Sequence, residues 1–379
     1  MLKWLALLIL VFPLSILSQD VIKVGIFNGV KSNGGKFVAS KGEYIVVSGN
    51  DTLFIPEGAS AEFRASGQEV KVTVNGTTRI FQRKLTFRIN GWDCEFSLRP
   101  SGLKQRIYYD NLNVYAKDGR VVYVNELGLE KYVAGVVESE AGAQYTKEYY
   151  KVQSIISRTY ALSNLRRHQK EGFHLCDKVH CQVMFGKVSY NDEILFAAYE
   201  TQNQVLVDQD INLITAAFHS NCGGHTVNAE TVWSSPLTYL VGVPDTFCLN
   251  MTQSRWDKKV PLSKWEAYLK ENNCSLLPDS SLTIPETTSK DREYFRGDST
   301  SMRLVDIRSK FRLRSTSFMI EHHTEHVHFK GRGFGHGVGL CQEGAIHMAE
   351  LDYAYPEILH TYYTDVHLID RKLIEFFRE

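Results

Sequence analysis

The sequence predicts an α+β fold, in which a mostly antiparallel β framework carries one long helix. Between residues 21 and 100, short segments alternate apolar and polar residues and are separated by Asn-Gly or glycine-rich turns, a pattern typical of antiparallel strands. After Asn125, apolar residues recur at helical spacing, first over residues 129–140 and then over a longer stretch that begins at Thr146. The two patterns together predict that strands come first along the chain and helices later.

The strands with the clearest alternation lie early in the chain, at residues 22–27, 43–48, 69–74 and 85–89. Two more strands are expected at residues 106–115 and 121–125, joined by a hairpin turn at 117–119. We therefore predict a β-rich N-terminal region at residues 20–104 and a second domain at residues 105–379. Within that domain, the polar stretch at 258–299 is the expected insertion.

The long helix is expected to follow a loop at residues 141–145, with Thr146 as its N-cap, and to reach roughly residue 170. Val152, Ile155 and Ile156 lie on one side of this helix and predict a buried stripe. Lys151 and Arg158 are seven residues apart and therefore share a face. That face lies close to Glu140, which ends the preceding helical segment.

The N-terminal residues 1–19 have the layout of a secretory signal peptide. Lys3 precedes an apolar run from Trp4 to Leu17, which is shorter than a membrane-spanning helix requires. We predict a mature protein outside the cytoplasm, either periplasmic or secreted and associated with the cell wall. A retained N-terminal anchor is the alternative, because no clean cleavage pattern follows the apolar run.

The bulk charge argues against one class of partner. Lysine plus arginine number 43 and aspartate plus glutamate also number 43, so the chain has no general electrostatic affinity for nucleic acid. About 360 residues remain after the signal, enough for a large apolar core. We expect an ordered protein that does not bind nucleic acid.

Three segments, at residues 136–140, 219–226 and 331–345, carry residue combinations that are unusual unless they serve a function. The last contains five glycines in the nine residues 331–339, placed around His336, so its backbone can approach a ligand or adopt positive φ angles. A purely structural tight turn is the alternative. A dinucleotide site is not favoured, because no acidic ribose partner follows in register.

Five ordered blocks resemble the stage II sporulation protein D (SpoIID) domain, which also underlies the amidase modifier LytB. They are residues 125–165, the His174 to Cys181 segment, residues 218–226, residues 313–318, and the turn at 331–345. The resemblance covers roughly residues 21–363. It implies a peptidoglycan lytic transglycosylase that cleaves between N-acetylmuramic acid and N-acetylglucosamine and leaves 1,6-anhydro ends. A non-catalytic cell-wall-binding modifier of an amidase is the alternative, and an amidase or other wall hydrolase is then an expected partner.

The resemblance also assigns residues within the glycan-binding site. Glu140 falls at the catalytic acid/base, and Lys151 and Arg158 fall where the family carries basic residues that line the site. Ser220, His336 and Gln342 would complete the substrate groove. We expect a raised pKa for Glu140, through burial or a nearby like charge, and basic residues that do not pair tightly with it. Glu138 is a candidate for that charge, but a solvated surface carboxylate is the favoured interpretation of it.

A zinc site is predicted at His174, Cys176, His180 and Cys181, because two imidazoles and two thiols within eight residues suit Zn²⁺. The resemblance implies a structural ion, and the chemistry itself requires no cofactor. Two alternatives stay open: His168 in place of His174, and a disulfide between Cys176 and Cys181.

Cys222 and Cys341 depart from the family, which usually has serine at both positions. A disulfide between them would join the loops at 219–226 and 331–345, and Cys248 and Cys274 are alternative partners. The sequence does not choose among these pairings, since the chain holds seven cysteines.

Overall fold

The structure is a computed structural model that describes residues 20–48, 51–74, 76–233, 235–274, 292–296 and 301–376. The predicted signal peptide at residues 1–19 lies outside the described residues, as does most of the stretch from 275 to 299. None of the described helices is long and apolar enough to cross a membrane.

The first 128 residues supply a series of strands and no helix within their described part. In chain order these are β1 (Val21–Ile26), β2 (Gly34–Lys41), β3 (Tyr44–Ser48), β4 (Asp51–Ile55), β5 (Ser60–Ser66), β6 (Glu69–Val74), β7 (Thr77–Gln82), β8 (Lys84–Ile89), β9 (Glu95–Pro100), β10 (Arg106–Tyr109), β11 (Asn111–Lys117) and β12 (Arg120–Gly128).

Helices and short strands then alternate. The elements are α1 (Leu129–Ala141), α2 (Lys147–Ser163), β13 (Leu175–Cys176), α3 (Glu193–Glu200), β14 (Gln204–Val207), β15 (Phe218–His219), α4 (Ala229–Trp233), β16 (Arg255–Pro261), α5 (Leu262–Glu271), β17 (Tyr294–Arg296), β18 (Ser301–Arg303), α6 (Leu304–Phe311), β19 (Ser317–His322), β20 (His326–Arg332), β21 (Leu340–Cys341), α7 (Gln342–Glu350), α8 (Tyr355–Tyr362), β22 (His367–Asp370) and α9 (Lys372–Phe376).

The framework consists of two sheets, whose orders are β13-β1-β12-β11-β8-β3-β4 and β10-β9-β2-β5-β6-β7. The pairings are antiparallel except for β1 with β13. Phe37 on β2 stacks on Phe87 of the other sheet at 4.4 Å between ring centroids, and buried rings of this kind join the two sheets. The predicted α+β fold with an antiparallel β framework is confirmed.

Strands from both sides of the predicted boundary at residue 104 belong to the same sheets. β10 pairs with β9, and β11 pairs with β8, so residues 106–128 complete the N-terminal β framework. The helices α1, α2 and α3 begin only after β12 and pack on one another. The change in architecture therefore falls near Gly128.

Helix α2 ends at Ser163, earlier than the residue 170 that periodicity indicates. At this end the backbone N–H of Asn164 bonds to the carbonyl of Ala161 at 3.2 Å, and the Asn164 amide donates to the carbonyl of Tyr160 at 2.9 Å. These bonds satisfy terminal carbonyls and let the chain turn away. Val152, Ile155 and Ile156 are buried, as the apolar stripe predicts.

Residues 255–332 contain a second apolar core. The sheet in this stretch has the order β16-β20-β19, and the same stretch of chain contains helices α5 and α6. Trp265, Leu304, Ile307 and Phe329 are fully buried there. The predicted insertion at 258–299 thus corresponds to part of a larger unit, which includes helix α5.

Candidate functional site

Glu140 lies in the last turn of α1, just before Gly142, whose φ of 86° ends the helix. Its side chain is half-buried, and its Oε1 accepts a hydrogen bond from the backbone N–H of Val183 at 2.8 Å. Burial raises the pKa of Glu140, and the Val183 bond offsets part of that rise. The raised pKa expected for a general acid is therefore found here, and burial is its cause.

Glu138 does not supply the perturbing charge. Its carboxylate accepts hydrogen bonds from the backbone N–H groups of Ser189 and Tyr190, at 3.0 and 2.9 Å. The side chain holds the loop at residues 189–190 against α1. Glu138 therefore stabilises the local contact between this loop and α1, so a Glu138 variant can serve as a control for a Glu140 variant.

Lys151 takes part in a small ion-pair network at the start of α2. Its Nζ lies 2.7 Å from Glu148 and 3.3 Å from Glu200, and 5.5 Å from the centre of the Tyr355 ring. Its ion pairs within the described part of the chain go to these glutamates and not to Glu140. This agrees with the expectation that the basic residues leave Glu140 unpaired.

Arg158 is completely buried, which does not fit the predicted contact with substrate. Its Nε lies 3.1 Å from both carboxylate oxygens of Glu130, and its Nη2 donates to the same carboxylate and to the carbonyl of Ala198. Nη1 donates to the carbonyl of Gln204 at 3.1 Å. The seven-residue spacing indicated the correct helix face, but that part of the face is covered by α1 and α3.

Ser220 and Gln342 are brought together by the parallel pairing of β15 with β21, in which His219 pairs with Cys341. The backbone N–H of Glu343 donates to the carbonyl of Ser220 at 3.0 Å and closes the junction. Gln342 begins α7, and its side-chain amide nitrogen is buried and has no hydrogen-bond partner among the described residues. The two predicted groove residues are therefore neighbours.

His336 lies beside a second imidazole and an indole. Its ring centroid is 5.4 Å from that of His219 and 5.4 Å from that of Trp233, and its Nδ1 accepts the backbone N–H of Val338 at 3.0 Å. Burial lowers the pKa of His336 to about 4 and that of His219 to about 3. Both imidazoles are therefore neutral at pH 7, and His336, which is the less buried of the two, can exchange hydrogen bonds with a hydroxyl group.

The glycines of the turn allow two backbones to approach. Gly333 has a φ of 76°, and a Cβ there would lie 2.5 Å from the carbonyl oxygen of Asn221. At Gly339, with a φ of 68°, a Cβ would lie 2.3 Å from the carbonyl oxygen of Ala217. Asn221 and Phe334 also exchange backbone hydrogen bonds at 3.0 and 2.8 Å. Gly333 and Gly339 thus serve to fit residues 331–339 against residues 217–223.

Helix α2 links the Glu140 segment to this junction. The hydroxyl of Tyr149 accepts a hydrogen bond from the side-chain amide of Gln153 at 3.0 Å, and the Tyr149 ring meets that of Tyr145 edge-on at 5.4 Å. Sequence reasoning missed both tyrosines and Trp233. The signal available was the cluster of three tyrosines at 145–150 directly after Glu140.

Three of the four predicted metal ligands lie together, and His168 takes the place of the fourth, His174. Donor atoms of His168, Cys176, His180 and Cys181 all lie within 4.8 Å of one another, and we refer to these four residues as the His/Cys cluster. His174 lies outside it, because its Nδ1 accepts the backbone N–H of Lys23 at 3.1 Å. The alternative that places His168 in the set therefore describes the geometry. Cys176 and Cys181 are free thiols.

The surroundings of His168 fit a metal ligand. Its Nδ1 bonds to Glu171 at 2.6 Å, while its Nε2 is buried and finds no hydrogen-bond partner in the part of the chain that the structure describes. A carboxylate on one ring nitrogen and a metal on the other is the usual arrangement of ligating histidines. The two thiols lie 3.8 and 3.5 Å from Nδ1 of His180. Two nitrogens and two sulfurs in this arrangement suit Zn²⁺.

The chain that leaves the His/Cys cluster runs directly over Glu140. Gln182 accepts a hydrogen bond from the hydroxyl of Tyr132 at 3.0 Å, Val183 donates to Glu140, and the Phe185 N–H donates to Ser139 Oγ at 2.9 Å. The cluster and the carboxyl group are therefore mechanically connected through residues 181–185.

Comparison with known proteins shows which family the chain resembles. Residues 117–207 match the family model described as SpoIID, stage II sporulation protein. Stage II sporulation protein D of Bacillus subtilis (strain 168) is 30% identical over 263 residues, which span 63% of this chain and 74% of that protein. An uncharacterised protein of Brachyspira hyodysenteriae is 27% identical over 81% of this chain and 86% of its own length.

The amidase enhancer of Bacillus subtilis (strain 168) is 28% identical over 60% of this chain, and the match spans 39% of that longer protein. The match to the family model begins in the β11–β12 hairpin and ends with β14, so it includes Glu140 and the complete His/Cys cluster. With this sequence similarity and the convergence of the predicted blocks, the chain belongs to the stage II sporulation protein D family.

Proposed function

We propose that this protein is an exported peptidoglycan lytic transglycosylase with Glu140 as its general acid and base. The observation that carries the proposal is the half-buried carboxyl group at the end of α1, whose pKa is raised by burial. Membership of the SpoIID family supports the coarser statement of a role at the cell wall. The proposed location, periplasmic or secreted, rests on the sequence pattern of residues 1–19.

One carboxyl group is sufficient for this reaction. Protonated Glu140 donates its proton to the glycosidic oxygen as the bond from that oxygen to C1 of N-acetylmuramic acid breaks. The 6-hydroxyl of the same sugar then attacks C1, and its proton passes to the Glu140 carboxylate. No water is consumed, so the second carboxylate that ordinary glycosidases use to activate water or to attack C1 is not needed.

The proposed substrate contacts come from Lys151, Ser220, His336 and Gln342. Neutral His336 supplies a hydrogen-bonding group for sugar hydroxyls, and Lys151 supplies positive charge at the start of α2. Gln342 would reach a sugar through its amide oxygen, because its amide nitrogen is buried. Tyr145 and Trp233 expose 37% and 41% of their surface, which offers rings on which sugars can stack. Arg158 is not part of this proposal, because it is buried.

The His/Cys cluster would hold a structural zinc ion through His168, Cys176, His180 and Cys181. Four protein ligands leave no open position, so the ion would supply folding energy and not a bound nucleophile. Its effect on the reaction would be indirect, through residues 181–185 and the Val183 N–H that contacts Glu140.

His168→Ala is expected to lower the zinc content by about one ion per chain, whereas His174→Ala should leave the zinc content unchanged. The reason is geometric: of these two histidines, His168 directs a free ring nitrogen at the two thiols. Elemental analysis of the purified chains measures this directly. Loss of zinc from the His174 variant with retention in the His168 variant would contradict the assignment.

The reaction is tested by mass spectrometry of purified glycan strands, with and without stem peptides, after incubation with the mature protein. We expect 1,6-anhydro ends from the unmodified chain and none from Glu140→Gln. Reducing ends in place of anhydro ends would indicate hydrolysis and contradict the proposed chemistry.

The amidase-enhancer relative favours a second candidate, a wall-binding modifier of an amidase. If no glycan product forms on either substrate, this candidate is supported. It then requires that the chain bind peptidoglycan and raise the rate of a purified cell-wall amidase, and that Glu140→Gln do so equally well.

A further inference from the structure

Three buried cysteines and a buried aspartate meet where the loops of the site are joined. Cys222 follows β15, Cys341 ends β21, and Asp245 and Cys248 lie on the loop before β16. All four are at most 2% exposed. We refer to them as the Cys/Asp cluster.

The donor atoms of the Cys/Asp cluster converge on one point. All four lie within 4.8 Å of one another. The Cys222 Sγ is 3.4 Å from the Cys248 Sγ and 3.2 Å from the Asp245 Oδ2. In a tetrahedral zinc site with sulfur ligands the sulfur atoms lie about 3.8 Å apart, so an ion fits with small adjustments.

Backbone groups around the cluster are aimed at its ligand atoms. The N–H groups of Cys222 and Gly344 donate to the Cys341 Sγ, at 3.3 and 3.4 Å. Gly344 lies in the first turn of α7, whose N-terminus stabilises negative charge. N–H donors of this kind compensate the charge that thiolate ligands bring to a metal.

Asp245 is oriented with one oxygen toward the thiols. Its Oδ1 accepts the backbone N–H groups of Phe247 and Cys248, at 3.0 and 3.3 Å. This leaves Oδ2 toward Cys222, with the Tyr362 hydroxyl as a further donor at 3.1 Å. A Cβ at residue 344 would lie 2.4 Å from Oδ2, so the glycine there makes room for the carboxylate.

A disulfide explains the cluster less well than a metal does. A Cys222–Cys248 bond would consume two thiols but would leave the Cys341 thiol and the Asp245 carboxyl group buried beside it. Burying a carboxylate without a compensating charge is costly. A divalent cation uses all four groups at once. Hard cations such as Mg²⁺ prefer oxygen ligands, so three sulfurs and one oxygen favour zinc.

We infer that Cys222, Asp245, Cys248 and Cys341 bind a second structural zinc ion. With four protein ligands the site is closed, so the ion acts by fixing loops. Ser220 lies two residues before Cys222, and Gln342 directly follows Cys341. Arg292, which is buried, donates to the carbonyls of Cys222 and His225 at 2.9 Å and braces the same loop. The ion thus holds together the segments that carry Ser220, Gln342 and His336, whatever reaction they serve.

The test uses the full mature chain and separates the two clusters. In a Cys181→Ser background, which removes a ligand of the His/Cys cluster, we expect about one zinc ion per chain. Adding Cys248→Ser should remove it. Adding Cys274→Ser, a buried cysteine of the other core, should leave it in place.

X-ray absorption at the zinc edge of the Cys181→Ser chain provides a readout that does not depend on whether the doubly substituted chains fold. We expect three sulfur neighbours at about 2.3 Å and one oxygen at about 2.0–2.2 Å. Zinc with a single sulfur and two nitrogen neighbours would overturn the inference, because Cys181→Ser leaves the His/Cys cluster with one thiol and two imidazoles, and the ion would then lie in that cluster. A zinc-free chain, or a native chain in which peptide mapping finds Cys222 bonded to Cys248, would also overturn it.

Discussion

Glu140→Gln is expected to lower the rate of glycan cleavage by about 10²–10⁴-fold, the usual contribution of a general acid. The amide keeps an oxygen that can accept the Val183 N–H, so the loop at residues 181–185 stays in place. What the variant loses is the proton that the leaving oxygen requires. The measurement is the rate of anhydro-end formation at saturating glycan, together with a thermal unfolding curve.

Glu138→Gln is the matched control, because it lies two residues away on α1 and also accepts backbone N–H bonds from a neighbouring loop. We expect near-normal cleavage from it. If both variants lost activity to the same degree, the loss would reflect the α1 loop contacts and not proton transfer by Glu140.

The raised pKa of Glu140 also makes the stability of the fold depend on pH. The folded-state pKa of Glu140 lies above the unfolded-state value of about 4.3. At pH values between the two, the folded protein therefore binds more protons than the unfolded chain. The free energy of unfolding should therefore fall as pH rises through the folded-state pKa. Glu140→Gln removes this loss, so its stability relative to the unmodified chain should increase as the pH rises from the unfolded-state pKa through the folded-state pKa of Glu140.

Arg158→Met is expected to destabilise the fold by about 3–5 kcal/mol, because it leaves the buried Glu130 carboxylate without its partner. The double variant Arg158→Met with Glu130→Leu should recover much of that loss, since both charges are then removed together. Denaturant unfolding of the single and double variants measures the difference.

Lys151→Met is the control for the previous prediction, since it removes a cation seven residues earlier on α2. Its partners Glu148 and Glu200 are partly exposed, so the expected cost is about 1 kcal/mol or less. Equal losses from the Arg158 and Lys151 variants would mean that the buried pair contributes no more than a surface pair.

The sequence by itself was enough to predict the α+β class, because antiparallel strands and amphipathic helices have distinct periods that depend only on local geometry. It also proposed Glu140 as the acid/base, since a resemblance in ordered blocks assigns a role by position along the chain, and that role stays a prediction. The pairing of the loops around Ser220 and Gln342 followed from the same blocks. The helix after Glu140 was expected from its apolar periodicity and the Thr146 N-cap, although its end at Ser163 depends on hydrogen bonds of Asn164.

Only the tertiary structure decided what each polar side chain faces. Arg158 and Lys151 share a helix face, yet one is buried against Glu130 and the other lies at the helix start among partly exposed glutamates, because α1 and α3 cover only part of that face. His168 replaces His174 in the His/Cys cluster because the β1–β13 pairing turns His174 toward Lys23. Asp245 and Cys248 join Cys222 and Cys341 across about a hundred residues of chain. Such long-range contacts depend on how the elements pack, and the local periodicity of the sequence does not predict them.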